Sequence, residues 1–157
     1  MDKLQELKKK YKELGEEIER LENQGKVWKP EEGERFYYLL STGCYDSAKY
    51  GGLYTKERYA IGNCFKTVPE VKAVAEKIQI YTELKRLVEE INTEPVDWKN
   101  RRQWKYTLVY DFEKRELIVD GWQYTQTAGL IYSTNKDFLK IAKERIGEDR
   151  LLKLFKE

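Results

Sequence analysis

Leu4, Leu7, Tyr11, Leu14, Ile18 and Leu21 recur at alternating spacings of three and four residues. This is the a/d seam of a heptad repeat, kept over three heptads, with Lys and Glu filling most other positions. The opening of the chain is thereby committed to one long helix over residues 2–24, about 35 Å in length. A stripe two residues wide in seven is narrower than the face a globular core needs, and it suits a partner helix. The spacing predicts a coiled-coil oligomerisation helix within residues 1–25 that assembles the chain as a dimer or trimer. A helix folded back on its own domain is the alternative, and Tyr11 in the seam keeps it open. Gln24-Gly25 ends the helix, with glycine at the C′ position.

The rest of the 157-residue chain is long enough for one ordinary domain, or two very small ones. Charged residues reach 37%, but 13% aromatics argue against disorder. No apolar run is long enough to cross a membrane. Met1-Asp2-Lys3-Leu4 opens no signal-peptide core, so a cytoplasmic protein without membrane contact is expected. The chain has no histidine. That removes the commonest general base, the commonest zinc ligand and every Ser-His or Cys-His pair. With 30 Lys and Arg against 28 Asp and Glu, no global field attracts nucleic acid, and such binding needs a local patch. Cys44 and Cys64 are too few for a disulfide framework. They are expected as buried small hydrophobes, with a mutual bridge or a reactive thiol as alternatives.

Beyond the helix, Arg35–Leu40 reads as a buried aromatic strand. Tyr50-Gly51-Gly52 closes a loose polar segment, and strands are expected at Leu53–Tyr59 and Ile61–Phe65. Thr67-Val68-Pro69-Glu70 is a capping box that opens a long helix reaching Ile91, the spine of the molecule. A hairpin follows, from Tyr106–Phe112 to Arg115–Val119, with a turn at Asp120-Gly121. Strands at Gln123–Thr127 and Leu130–Tyr132 complete the sheet. Thr134-Asn135-Lys136-Asp137 caps a helix broken by Gly147, and Asp149–Phe155 forms a terminal one.

The two sheet-to-helix junctions match at an offset of 67. Gly62, Phe65, Thr67 and Glu70 align with Gly129, Tyr132, Thr134 and Asp137. The match reads as a duplication, or as the chemistry any strand-to-helix turn selects. The expected fold is α+β: an N-terminal coiled-coil helix, then two antiparallel-sheet-plus-helix halves over 26–94 and 95–157, which can form one domain.

No phosphate-loop or dinucleotide motif occurs, and no D-x-D string suggests a cation site, so no cofactor and no metal are expected. Asp46, Asp111 and Asp120 lie near aromatics, as a glycosidase pair would, but Asp111 and Asp120 flank a hairpin where turns favour Asp. Ser41 and Ser133 have no base except Lys. No catalytic residue is assigned, and a non-enzyme is expected. Tyr45, Tyr50 and Tyr54 suit a binding face, because tyrosine gives rigid area with a polar tip; ordinary strand formers are the alternative. Trp98-Lys99-Asn100-Arg101-Arg102-Gln103-Trp104-Lys105-Tyr106 holds four cations, three aromatics and no acid. Such interleaving suits single-stranded nucleic acid or an acidic protein groove, unless the segment is a linker anchored by its tryptophans. Trp98, Lys99, Arg101, Arg102 and Trp104 are its candidate binding residues.

Three strings stand apart: Trp28-Lys29-Pro30-Glu31-Glu32-Gly33-Glu34-Arg35-Phe36-Tyr37-Tyr38, Gly62-Asn63-Cys64-Phe65-Lys66-Thr67 ahead of Glu83-Leu84-Lys85-Arg86, and Ile146-Gly147-Glu148-Asp149-Arg150. Together they resemble a family of small phage and prophage proteins of Gram-positive bacteria, over nearly the whole chain. Val68-Pro69-Glu70-Val71 departs from the acidic, alanine-containing helix start of that group, which affects a cap and no site. The resemblance assigns no activity to any residue. It does imply a non-catalytic phage binding protein, with a host protein or nucleoprotein complex as partner. Inhibition of a host nucleic-acid-targeting defence system by occlusion, as by an anti-CRISPR, is the expected role. A nucleic-acid-binding phage accessory protein is one alternative. An oligomeric sponge for a nucleotide signal, with an aromatic pocket between protomers, is another.

Overall fold

A computed structural model describes residues 3–155; residues 1–2 and 156–157, at the margins of the expected terminal helices, lie outside it. The fold is α+β. Helix α1 spans Lys3–Asn23. Every side chain from Lys3 to Glu22 is exposed, the seam included. Its polar faces carry local ion pairs, Lys9–Glu13 and Lys12–Glu16 at 3.7 Å and Arg20–Glu17 at 2.6 Å. Gly25 ends it at φ +80°, a conformation that suits glycine.

In the first half, β1 (Arg35–Leu39) pairs antiparallel with β2 (Tyr45–Lys49), in register Arg35↔Lys49 through Leu39↔Tyr45. The segment expected to be loose is therefore a strand. The expected strand at Leu53–Tyr59 is instead helix α2, Leu53–Ala60. Thr55 decides this locally: its hydroxyl donates to Gly52 O at 2.7 Å and accepts from Gly51 N at 3.0 Å. Burial of Thr55 with partial burial of Arg58 and Tyr59 is a helical spacing, which the strand-forming composition hid. The strand expected at Ile61–Phe65 reduces to one bridge, Tyr37↔Phe65. Gly62 turns the chain at φ +75°, and the Asn63 amide then stands in for backbone. It accepts from Leu39 N at 2.7 Å and donates to Leu39 O at 3.0 Å. Phe36, Tyr38 and Tyr50 form a small aromatic core, with Trp28, Tyr59 and Cys64 packed around it.

Helix α3 covers Val68–Ile91 and starts with the expected capping box at Thr67 and Glu70. In the second half, β3 (Lys105–Asp111) pairs with β4 (Glu116–Trp122), from Lys105↔Trp122 to Asp111↔Glu116. Asp111 Oδ1 accepts from the Glu113 and Lys114 amides and shapes the turn between them. The turn expected at Asp120-Gly121 is not made; both residues lie inside β4. Strands at Gln123–Thr127 and Leu130–Tyr132 do not form either. Residues 124–130 are exposed and carry no alternation, and the pairing that does form is the bridge Tyr106↔Ser133, just past the expected strands. Helix α4 spans Phe138–Arg145 and α5 Glu148–Leu152. The expected cap at Thr134–Asp137 is displaced: Asp137 is the N-cap and makes no side-chain cap bond. Thr134 is engaged elsewhere, because Asn92 Oδ1 at the end of α3 accepts from Thr134 N at 3.0 Å and Ser133 Oγ at 2.7 Å.

The two sheets are separate two-stranded ribbons. Each ribbon leads to a bridge to its first strand and then a helix, but α2 intervenes after β2 and has no counterpart after β4. The larger core joins them: Ile80, Leu84, Leu87 and Val88 of α3 pack with Leu108, Leu117, Phe138, Ala142 and Leu151 of the second half. Burial of a Leu or Phe side chain stabilises by about 1.5–3 kcal/mol, so this joint core dominates the fold. No helix among the described residues is long and apolar enough to cross a membrane.

Candidate binding surface

The loop between α3 and β3 is built from inside by two side chains. Gln103 is buried; its Oε1 accepts from Asp97 N at 2.7 Å and its Nε2 donates to Pro95 O at 2.8 Å. Lys105 is 0% exposed. Its ammonium donates to three carbonyls, Asn100 at 2.8 Å, Gln103 at 2.9 Å and Gln123 at 3.0 Å. It also lies 5.3 Å from the Trp98 ring centroid, and Trp98 meets Tyr132 edge-on at 4.9 Å. Asx turns at Asp97 and Asn100 receive the Lys99 and Arg102 amides. The loop thus has its backbone tied at both ends and in the middle, while Lys99, Arg101 and Arg102 remain exposed.

The structure divides the four cations of the cluster. Lys105 is an internal fastener, and three cations face solvent. Trp98 is half-buried against Tyr132. Trp104 is 49% exposed and its ring lies close to β4: a Cβ at Gly121 would sit 3.1 Å from it. The tyrosines do not form one face. Tyr50 is buried, edge-on to Phe36 and Tyr59. Tyr45 sits on β2 beside Tyr37 and beneath Lys72, and Tyr54 is 76% exposed on α2.

The carboxylates considered for catalysis each have a local task. Asp46 accepts from Ser47 N and Tyr38 Oη, Asp111 shapes its turn, and Asp120 accepts from Gly121 N. Ser133 is buried and donates to Asn92. Among the described residues no group of His, Cys, Asp and Glu could hold a metal ion. The cysteines are both free, and neither is buried: Cys44 is exposed and Cys64 half-buried. Burial pushes the Cys64 thiol pKa up, and the nearby Arg58 charge opposes this.

One feature escaped the sequence. A groove of about 570 Å³ runs between the β1–β2 turn and α3, lined by Leu39, Leu40, Ile61, Phe65, Val74 and Ile78. Val74 and Ile78, one turn apart, read as core from their spacing, yet Ile78 is exposed. The outward Ile61 beside Gly62 was the available signal. Comparison with protein-family models, curated proteins and solved structures finds no match to this chain.

Proposed function

We propose that this chain is a non-catalytic phage binding protein that assembles through α1 and docks an acidic surface of a host nucleic-acid-handling defence complex, inhibiting it by occlusion. The observation that carries this is the fastened loop at 97–104. Lys105 and Gln103 hold its backbone from within, so three cations project from a loop whose backbone needs no ordering at binding. Two features favour an acidic protein over single-stranded nucleic acid. A stacking platform needs several free rings, whereas Trp98 is engaged by Tyr132 and Lys105, and Trp104 lies against Gly121. The net charge of +2 adds no long-range pull on a polyanion. The local tasks of Asp46, Asp111 and Asp120 support a non-catalytic role. The phage and host assignment rests on the resemblance of the three strings.

The test is a pull-down with the tagged full chain from lysate of a Gram-positive host, with and without nuclease, read by mass spectrometry and absorbance. A defined host complex retained after nuclease is expected. Recovery of salt-labile nucleic acid alone would overturn the reading.

A further inference from the structure

The seam of α1 faces solvent, its six residues between 54% and 83% exposed. An apolar stripe of that length on an otherwise charged helix marks an interaction surface. Its charges say what covers it. Residues 3–12 carry five lysines and one glutamate, and residues 13–22 carry five glutamates and one arginine. The helix is thus basic in its first half and acidic in its second. All these charged side chains are exposed, within reach of a second helix.

With Leu4, Tyr11 and Ile18 at a and Leu7, Leu14 and Leu21 at d, the flanking e and g positions are fixed. Position g holds Lys3, Lys10 and Glu17; position e holds Lys8, Gly15 and Glu22. In a parallel pair or trimer each g residue meets the next e residue of its neighbour. Lys3 would then face Lys8 and Glu17 would face Glu22, both repulsive, with Lys10 facing the side-chain-free Gly15. In an antiparallel pair the g edge runs along the partner's g edge, and e along e. The apolar layers close in one register, with Leu4 against the partner's Leu21, Leu7 against the partner's Ile18, and Tyr11 against the partner's Leu14. In that register Glu17 falls between the partner's Lys3 and Lys10, and Glu22 comes nearest the partner's Lys8. Each of these contacts occurs twice by symmetry. Lys10 nears its own copy at the two-fold axis, but Glu17 of the other helix lies beside it there. Gly15, on the opposite edge, puts no side chain near the axis.

We infer that α1 pairs with α1 of a second copy in antiparallel orientation, making a two-fold dimer. This specifies the assembly that the proposed function assumes. The rest of the chain follows the C-terminal end of α1, so the two bodies emerge from opposite ends of a rod about 32 Å long. Two cationic loops are then presented apart, as a bivalent binder requires. Arg20 already holds Glu17 on its own helix, and a carboxylate accepts further donors beside it.

Charge exchange tests this on the full chain by sedimentation across a concentration series. One variant carries Lys8→Glu with Lys10→Glu; the other carries Glu17→Lys with Glu22→Lys. Wild type should sediment as a dimer. Each variant alone should pair about a hundredfold more weakly, because attractive contacts along both edges turn repulsive. An equimolar mixture should restore a heterodimer at near wild-type strength, which also shows that the variants fold. In a parallel assembly the first variant would instead set Lys3 against a carboxylate at position 8 and strengthen pairing. A wild-type monomer or trimer, a first variant that self-associates as well as wild type, or a mixture that fails to pair would each overturn the inference. The readout needs no target, so its failure is distinct from failure of the pull-down.

Discussion

Lys105 is sealed from solvent, and three carbonyls take its three protons. Such a group costs much to desolvate, and its hydrogen bonds are stronger than neutral ones. Lys105→Met keeps the stem but orphans three carbonyl oxygens. It should cost about 2–4 kcal/mol in denaturant unfolding and open residues 97–104 to protease. A variant as stable and as resistant as wild type would refute the fastening role. The sequence could not separate Lys105 from Lys99, because spacing within a basic run does not report depth. Only the strand alternation that turns Lys105 and Thr107 inward distinguishes it. The two thiols differ for a similar reason. Cys64 is shielded and its pKa raised by burial, so it holds less thiolate than an ordinary thiol. Near neutral pH a thiol reagent should label Cys44 before Cys64, read by mass spectrometry, and the reverse order would contradict the burial assigned to them.

At the scale of elements, α3 is held by a ladder the sequence carried unread. Glu76, Glu83 and Glu90, seven residues apart, pair with Lys153, Arg150 and Arg145. The reversed order of partners shows that the α4–α5 segment runs back along α3. The Glu83-Leu84-Lys85-Arg86 and Ile146-Gly147-Glu148-Asp149-Arg150 strings meet here, through a bidentate pair at 2.8 and 2.9 Å. The Arg150 hydrogen bonds hold the Glu83 carboxyl below the usual carboxylate range, against an opposing effect of burial. A carboxyl lowered in this way contributes stability above its unfolded value, about 4.3, and loses it as pH falls through the lowered folded value. Both side chains are more than a third exposed, so the contribution is small. Glu83→Gln should lower the unfolding midpoint slightly at neutral pH and match wild type in acid below that range. Equal midpoints at neutral pH would count against the pair. Elements with a strong period, α1, α3 and the β3–β4 hairpin, were legible from the sequence. The stretch 45–60 was not: Tyr-Asp-Ser-Ala-Lys is a poor strand sequence that pairs because β1 presents Phe36 and Tyr38, and α2 is set by one threonine.

In the whole molecule both halves contain a ribbon, a bridge and a helix, with Gly62 and Gly129 both at positive φ, but α2 and the Thr67 cap have no counterpart in the second half. The halves differ where α3 continues into the second core, which contains Phe138 at 0% exposure. Phe138→Ala should cost about 3–5 kcal/mol, and because α3 also packs on β1, tryptophan fluorescence and helical circular dichroism should fall together. Two separated transitions would show that the halves unfold independently. The depth of Lys105 and Tyr50 depends on contacts between distant segments, so the composition of the candidate surface was legible and its outward subset was not. The proposed function requires this outward subset, Lys99, Arg101 and Arg102, to make the contact. Its most direct test is the affinity of the captured host complex for wild type and for Arg101→Glu with Arg102→Glu. At least a tenfold loss with an unchanged unfolding midpoint is expected, since both side chains are exposed. Wild-type affinity in that variant would contradict it.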